Sequence, residues 1–139
     1  MPRHSLMFLV KHTPSNTFIV KEAFIDEVGK MATYQLSSSK VVPDMSKGYA
    51  YINFPNVNFV GENIVYNYPV ESSIYMLDIR TNERKYILAD SHYTSNIIEK
   101  CTTSGDYATL EKHWLENSHF YDIMYLPKYK IYARLHADK

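Results

Sequence analysis

The chain has 139 residues with Lys+Arg and Asp+Glu both at 15, so no charge excess points to nucleic acid or an anionic membrane surface. Hydrophobic residues at 45% exclude disorder as the default, and the length is one domain's worth, enough to bury a core. The 13 Tyr against four Gly and one Trp favour a β-rich protein, because tyrosine suits half-buried strands, and packing outweighs binding as the reason for the enrichment.

In chain order, the apolar run at 6–10 is followed at once by charge. It is too short and wrongly flanked for a signal peptide or a membrane span. Residues 5–12, 17–25 and 30–36 read as strands, with turns at Thr13-Pro14-Ser15-Asn16 and around Gly29. Phe24, Ile25, Val28 and Met31 also fit helical spacing after Glu22-Ala23; strands are the preferred reading. The polar stretch 37–47 marks a boundary between structural units. A short strand over 49–54 then ends at Pro55, and Gly61-Glu62-Asn63 turns the chain into its central stretch.

Residues 63–89 read as three short runs of one antiparallel meander. Ile64, Tyr66 and Tyr68 share a face against Val65 and Asn67; Tyr75, Leu77 and Ile79 oppose Ile74 and Met76; Tyr86 and Leu88 oppose Ile87 and Ala89. Pro69-Val70-Glu71-Ser72 and Arg80-Thr81-Asn82 supply the turns. Apolar groups on both faces suit a sheet covered on both sides, either a propeller blade stacked between two others or the central sheet of a small α+β domain.

After a mixed polar region with a loop at Thr102-Thr103-Ser104-Gly105, Tyr107, Leu110, Trp114 and Leu115 fall on one face of a helix over about 107–117, with Asp106 as N-cap. The last unit reads as a hairpin of 119–126 and 129–136 around Pro127-Lys128. That two-residue loop puts Tyr121 opposite Arg134, Ile123 opposite Tyr132, Tyr125 opposite Lys130, Met124 opposite Ile131 and His119 opposite His136.

Chemistry-bearing constellations are sparse. Cys101 is alone, which excludes an intrachain disulfide and a thiolate metal cluster, and it reads as an inert thiol. His113 and His119 straddle the helix end. His119 and His136 could meet across the hairpin, but zinc needs three or four ligands, so no metal and no cofactor is expected. Asp26-Glu27, Asp78 and Asp122 show no spacing that compels acid/base work, and Asp78 reads as a cap of the turn near Thr81. No phosphate loop, nucleophile elbow or metalloprotease helix is present. The candidate surface residues are therefore His119, Tyr121, Arg134 and His136, with Tyr121 and Arg134 read as a cross-strand cation–π pair rather than a ligand clamp.

On the run 63–68, the hairpin 73–86 and the tyrosine-rich segment carrying Tyr121, Ile123, Tyr125, Lys128, Tyr129, Tyr132 and Arg134, the chain resembles a Bacteroidetes family of uncharacterised proteins, domain of unknown function 4221 (DUF4221). Leu126 departs from its habit of an Asp before the turn. Members look like TolB-type six-bladed β-propellers, are typically longer, and usually carry an export or lipoprotein signal. The resemblance implies an all-β partial propeller with units near 5–37, 49–89 and 107–136, exported to the periplasm or the outer membrane as a lipoprotein. The expected function is a non-catalytic binding or scaffold module, with carbohydrate or protein as partner, no nucleic acid and no membrane span. The alternatives are a self-contained α+β protein that dimerises through a Tyr-rich sheet, and part of a propeller hydrolase or lyase.

Overall fold

Alternating side chains set the first sheet. Ser5–His12 (β1), Thr17–Phe24 (β2) and Met31–Gln35 (β3) pair antiparallel in that order, and Val20 on β2 lies opposite Leu9 and Tyr34. A computed structural model describes residues 4–12, 17–40, 54–93, 95–98 and 106–137, the His12 side chain excepted. The turn expected at Thr13-Pro14-Ser15-Asn16, most of the strand expected at 49–54, Cys101 and the loop at 102–105 lie outside the described residues. The strand reading of 21–34 holds over the helical one. Gly29, at a φ of 82°, turns the chain where other residues would be strained, and Lys30 N–H closes the turn onto Glu27 C=O at 3.0 Å.

One face of this sheet buries Phe18 and Val20 together with Glu22, which is fully out of water. A carboxylate there costs several kcal/mol unless it is bonded. Ser5 Oγ donates to Glu22 Oε1 and Tyr34 OH to Oε2, both at 2.7 Å, so the charge fastens β2 to each neighbour. On the other face Leu6, Phe8 and Met31 are exposed.

The chain divides into two compact units, 1–38 and 39–139. In the second, Asn56–Val60 (β4), Asn63–Asn67 (β5), Ile74–Asp78 (β6) and Arg84–Ile87 (β7) form a four-stranded antiparallel meander in chain order. The central stretch is thus confirmed, with its third run shifted to Arg84–Ile87. β4 is an addition to the sequence reading, which has no strand at 56–60. Gly61, at a φ of 60°, opens the two-residue turn between Val60 and Asn63, the position where a hairpin turn favours glycine. Beyond β6, Asp78 Oδ1 accepts Arg80 N–H at 2.8 Å and Thr81 N–H at 3.0 Å, the capping role expected of it.

β5 is buried on both faces from Ile64 to Asn67. One face carries a tyrosine cluster. Tyr66 stacks on Tyr75 at 5.2 Å and 16°, Tyr68 meets both edge-on, and Tyr86 leans on Tyr75 at 5.2 Å. Such pairs add to the burial of their area. The other face is covered by the last hairpin.

Tyr107–Glu116 (α1) starts where expected. Asp106 Oδ1 caps it by accepting Thr109 N–H at 2.8 Å. None of its residues is buried. It leads into His119–Leu126 (β8), which pairs with Ile131–Ala137 (β9) and packs on β4 and β5. Asn56 Nδ2 donates to Phe120 C=O at 3.2 Å and Asn58 Nδ2 to Ile123 C=O, so the two polar residues of β4 help hold β8, as does the bond from Phe120 N–H to Pro69 C=O at 3.1 Å.

The hairpin register differs from the expected one. Leu126 pairs with Ile131, Tyr125 with Tyr132, Met124 with Ala133 and Ile123 with Arg134, around a four-residue turn. The reason lies in Pro127. A two-residue hairpin turn needs positive φ at its first position in its favoured forms, and proline fixes φ near −65°. Instead Tyr129 N–H bonds Leu126 C=O at 3.1 Å, and Lys130 closes the turn at a φ of 54°. Among the described residues the chain is therefore mostly β, with antiparallel sheets and one short helix.

Candidate functional site

The geometry of β8 decides which side chains converge. A bulge between Phe120 and Ile123 lets both face inward, which strict alternation forbids for residues three apart, and it turns Tyr121 and Asp122 outward. Beyond the bulge Phe120 pairs with His136, so the four candidate residues are sorted into separate places.

Arg134 and His136 meet at Phe120. The Arg134 guanidinium lies 4.4 Å over the Phe120 ring, and the His136 ring lies parallel to that ring at 6.0 Å. Arg134 Nη1–H donates to Ser72 C=O and Nη2–H to Ala89 C=O at 2.9 Å. Burial draws its pKa down, and the carboxylates of Asp90 and Glu71 oppose that. The expected cation–π pair with Tyr121 is thus replaced by one with Phe120, because the bulge and the Pro127 turn move Tyr121 away from Arg134.

The expected meeting of His119 and His136 does not occur either. His119 is buried and stacks on Trp114 at 3.6 Å and 29°. Burial and the neighbouring His113 push its pKa down to about 4, against a weaker opposing bond to the Asn117 backbone. It is a neutral core histidine.

Around Arg134 a cleft of about 360 Å³ is lined by Asp90, Ser91, His92, Tyr93, Phe120, Tyr132 and His136, together with Ile74 and Ala89. The segment after β7, which supplies Asp90 to Tyr93, reads in sequence only as mixed and polar. It is pinned to residues 70–72: Ser72 Oγ donates to Asp90 Oδ1 at 2.6 Å, Ser72 N–H to Asn96 C=O at 3.0 Å, and Ile98 N–H to Val70 C=O at 2.9 Å. Its one sequence signal is a His-Tyr pair amid loop residues, since loops on a rigid sheet are where binding groups concentrate.

Beside this cleft lies a buried carboxylate. Glu71 Oε1 accepts Ser39 Oγ at 2.5 Å and Tyr75 OH at 2.7 Å. The Tyr75 oxygen in turn accepts Lys40 N–H at 2.8 Å. Burial first, then neighbouring Tyr66, Tyr75 and Glu71, push the ionisation of Tyr68 upward.

The cleft sets the rings of Tyr93, Phe120 and Tyr132 beside the polar side chains of Asp90, Ser91, His92 and His136. Among the described residues no group of three or more His, Cys, Asp or Glu comes together as a metal site, and no helix is long and apolar enough to cross a membrane. Compared with protein-family models, with curated proteins and with solved structures, the chain matches none.

Proposed function

We propose that this chain is a non-catalytic binding or scaffold module built from propeller-type blades, part of a longer exported protein of the DUF4221 kind that it resembles. The observation that carries this reading is the β4-β5-β6-β7 meander. It is a four-stranded antiparallel sheet whose central strand β5 is buried on both faces, as a blade between two neighbours requires. The exposed apolar face of β1 and β3 supports the same reading, since it offers a surface on which a further sheet can stack. The partner surface is the Arg134 cleft, with carbohydrate or protein segments as the ligand class, because Tyr93 and Tyr132 present rings beside polar groups.

The test is the source DNA on both sides of the reading frame. A frame that continues upstream into further Tyr-rich meanders and a signal peptide supports the reading. A true start at Met1 with a stop after Lys139 overturns it in favour of a small self-contained α+β protein. Tyrosine fluorescence titrated with oligosaccharides and peptides, on the native chain and on Tyr93→Ala, assigns the ligand class.

A further inference from the structure

We propose that β9 is a pairing edge for a second copy of this chain, giving one continuous antiparallel sheet β8-β9-β9-β8 across a two-fold axis at Ala133. The inference stands on the β9 edge and does not need the propeller reading. Among the described residues β9 pairs with β8 alone, and no main-chain bond joins Ile131, Tyr132, Ala133, Arg134 or Leu135 to any other element. A two-stranded sheet is marginal by itself, and an open edge is a template for another strand unless charge, proline, a bulge or a cover blunts it.

The meander's β7 edge is blunted by exposed Arg84 and Lys85. β1, the long edge of the first unit, already belongs to a three-stranded sheet and carries Lys11 near its end. On β9 the outer face is Ile131, Ala133 and Leu135, with Ile131 51% and Leu135 64% exposed. Its one Arg is turned inward onto the Ser72 and Ala89 carbonyls.

The strand's own sequence names the occupant. Two antiparallel copies centred on Ala133 place Ile131 opposite the second copy's Leu135, Ala133 opposite itself, and Arg134 opposite the second copy's Tyr132. Apolar groups meet apolar groups, the smallest side chain sits on the axis, and no like charges face each other. The neighbouring registers of the same facing are worse. One sets Arg134 against itself, and the other sets it against Lys130. A shift of odd parity turns the apolar face of one copy toward the cleft face of the other.

The experiment is light scattering on the full product of the reading frame, joined to cysteine cross-linking in a Cys101→Ser background. The expected result is twice the chain mass and a disulfide-linked dimer from Ala133→Cys under mild oxidation, with little from Tyr121→Cys. Leu135→Lys should return the monomer mass with an unchanged circular dichroism spectrum; should that variant unfold, the cross-link decides. A monomer at high micromolar concentration overturns the proposal. So does a dimer in which Tyr121→Cys links as readily as Ala133→Cys. Neither result bears on the flanking reading frame, so the blade reading stands or falls separately.

Discussion

Tyr75 donates its hydroxyl to Glu71 Oε1 at 2.7 Å, across the turn that brings the chain from β5 to β6. Glu22 does the same work in the first unit, where Tyr34 and Ser5 donate as Tyr75 and Ser39 do to Glu71. Each unit thus holds a buried glutamate between a tyrosine and a serine, and the carboxylate orders the segments that supply its donors.

Removing the phenol should therefore be costly. Tyr75→Phe leaves the ring stack intact but takes one donor from a buried carboxylate, a loss of roughly 1.5–3 kcal/mol. Urea unfolding of Tyr75→Phe, Glu71→Gln and the double variant should show coupling, with the double costing less than the two singles together. Additivity would mean that the bond contributes nothing.

Arg134 is expected to behave as a structural tie. Arg134→Lys keeps the charge but cannot span two carbonyls with a planar fork or stack as well on Phe120, so it should lose about 2 kcal/mol or more. Thermal melts of Arg134→Lys and Arg134→Met measure this. A lysine variant as stable as the native chain would show that charge alone suffices.

His119 makes stability depend on pH. Its pKa is about 4 in the fold against an ordinary 6.5, so the unfolded chain binds the extra proton first. Its contribution is complete above about pH 6.5 and is lost as pH falls toward 4, amounting to roughly 2–3 kcal/mol by pH 4.5. His119→Phe keeps a ring on Trp114 and should flatten that part of the profile. Parallel stability-versus-pH curves for the two proteins would refute this.

Asn67 is fully buried on the β8 side of β5, and neither its Oδ1 nor its Nδ2 has a hydrogen-bond partner. An unpaired buried amide costs about 1–3 kcal/mol. Asn67→Leu should therefore raise the urea midpoint. An unchanged or lower midpoint would overturn this.

Lys130 sits at a φ of 54°, a conformation that costs a non-glycine residue roughly 1 kcal/mol. Lys130→Gly should stabilise the hairpin by a few tenths of a kcal/mol to about 1 kcal/mol, the relief being partly offset by glycine's greater freedom when unfolded. A lower melting temperature would contradict it.

The sequence was informative where local rules decide. Alternation places β1 and β2, Asp106 with Leu110 and Trp114 places α1, and Asp78 announces its own turn. It was silent where a distant partner decides. Asn56 and Asn58 make β4 look like a loop, and only the carbonyls of Phe120 and Ile123 give those amides a reason to lie in a strand. The site suffered most. A bulge of one residue leaves no mark on composition, yet it decides that Arg134 finds Phe120 and that Tyr121 does not. The hairpin register could have been read correctly from Pro127, whose ring is incompatible with the favoured two-residue turns.

Every described strand pairs only with strands next to it in the chain. During synthesis each sheet can therefore zip as soon as its last strand leaves the ribosome, with no early segment kept waiting for a late one. The exception is the seam that β8 and β9 close, where Arg134 reaches back to Ser72 and Ala89, and Asn56 reaches forward to Phe120. Until β8 and β9 emerge, the cover they give one side of the β4–β7 sheet is missing. That interval is when the nascent chain is most open to chaperones and to aggregation.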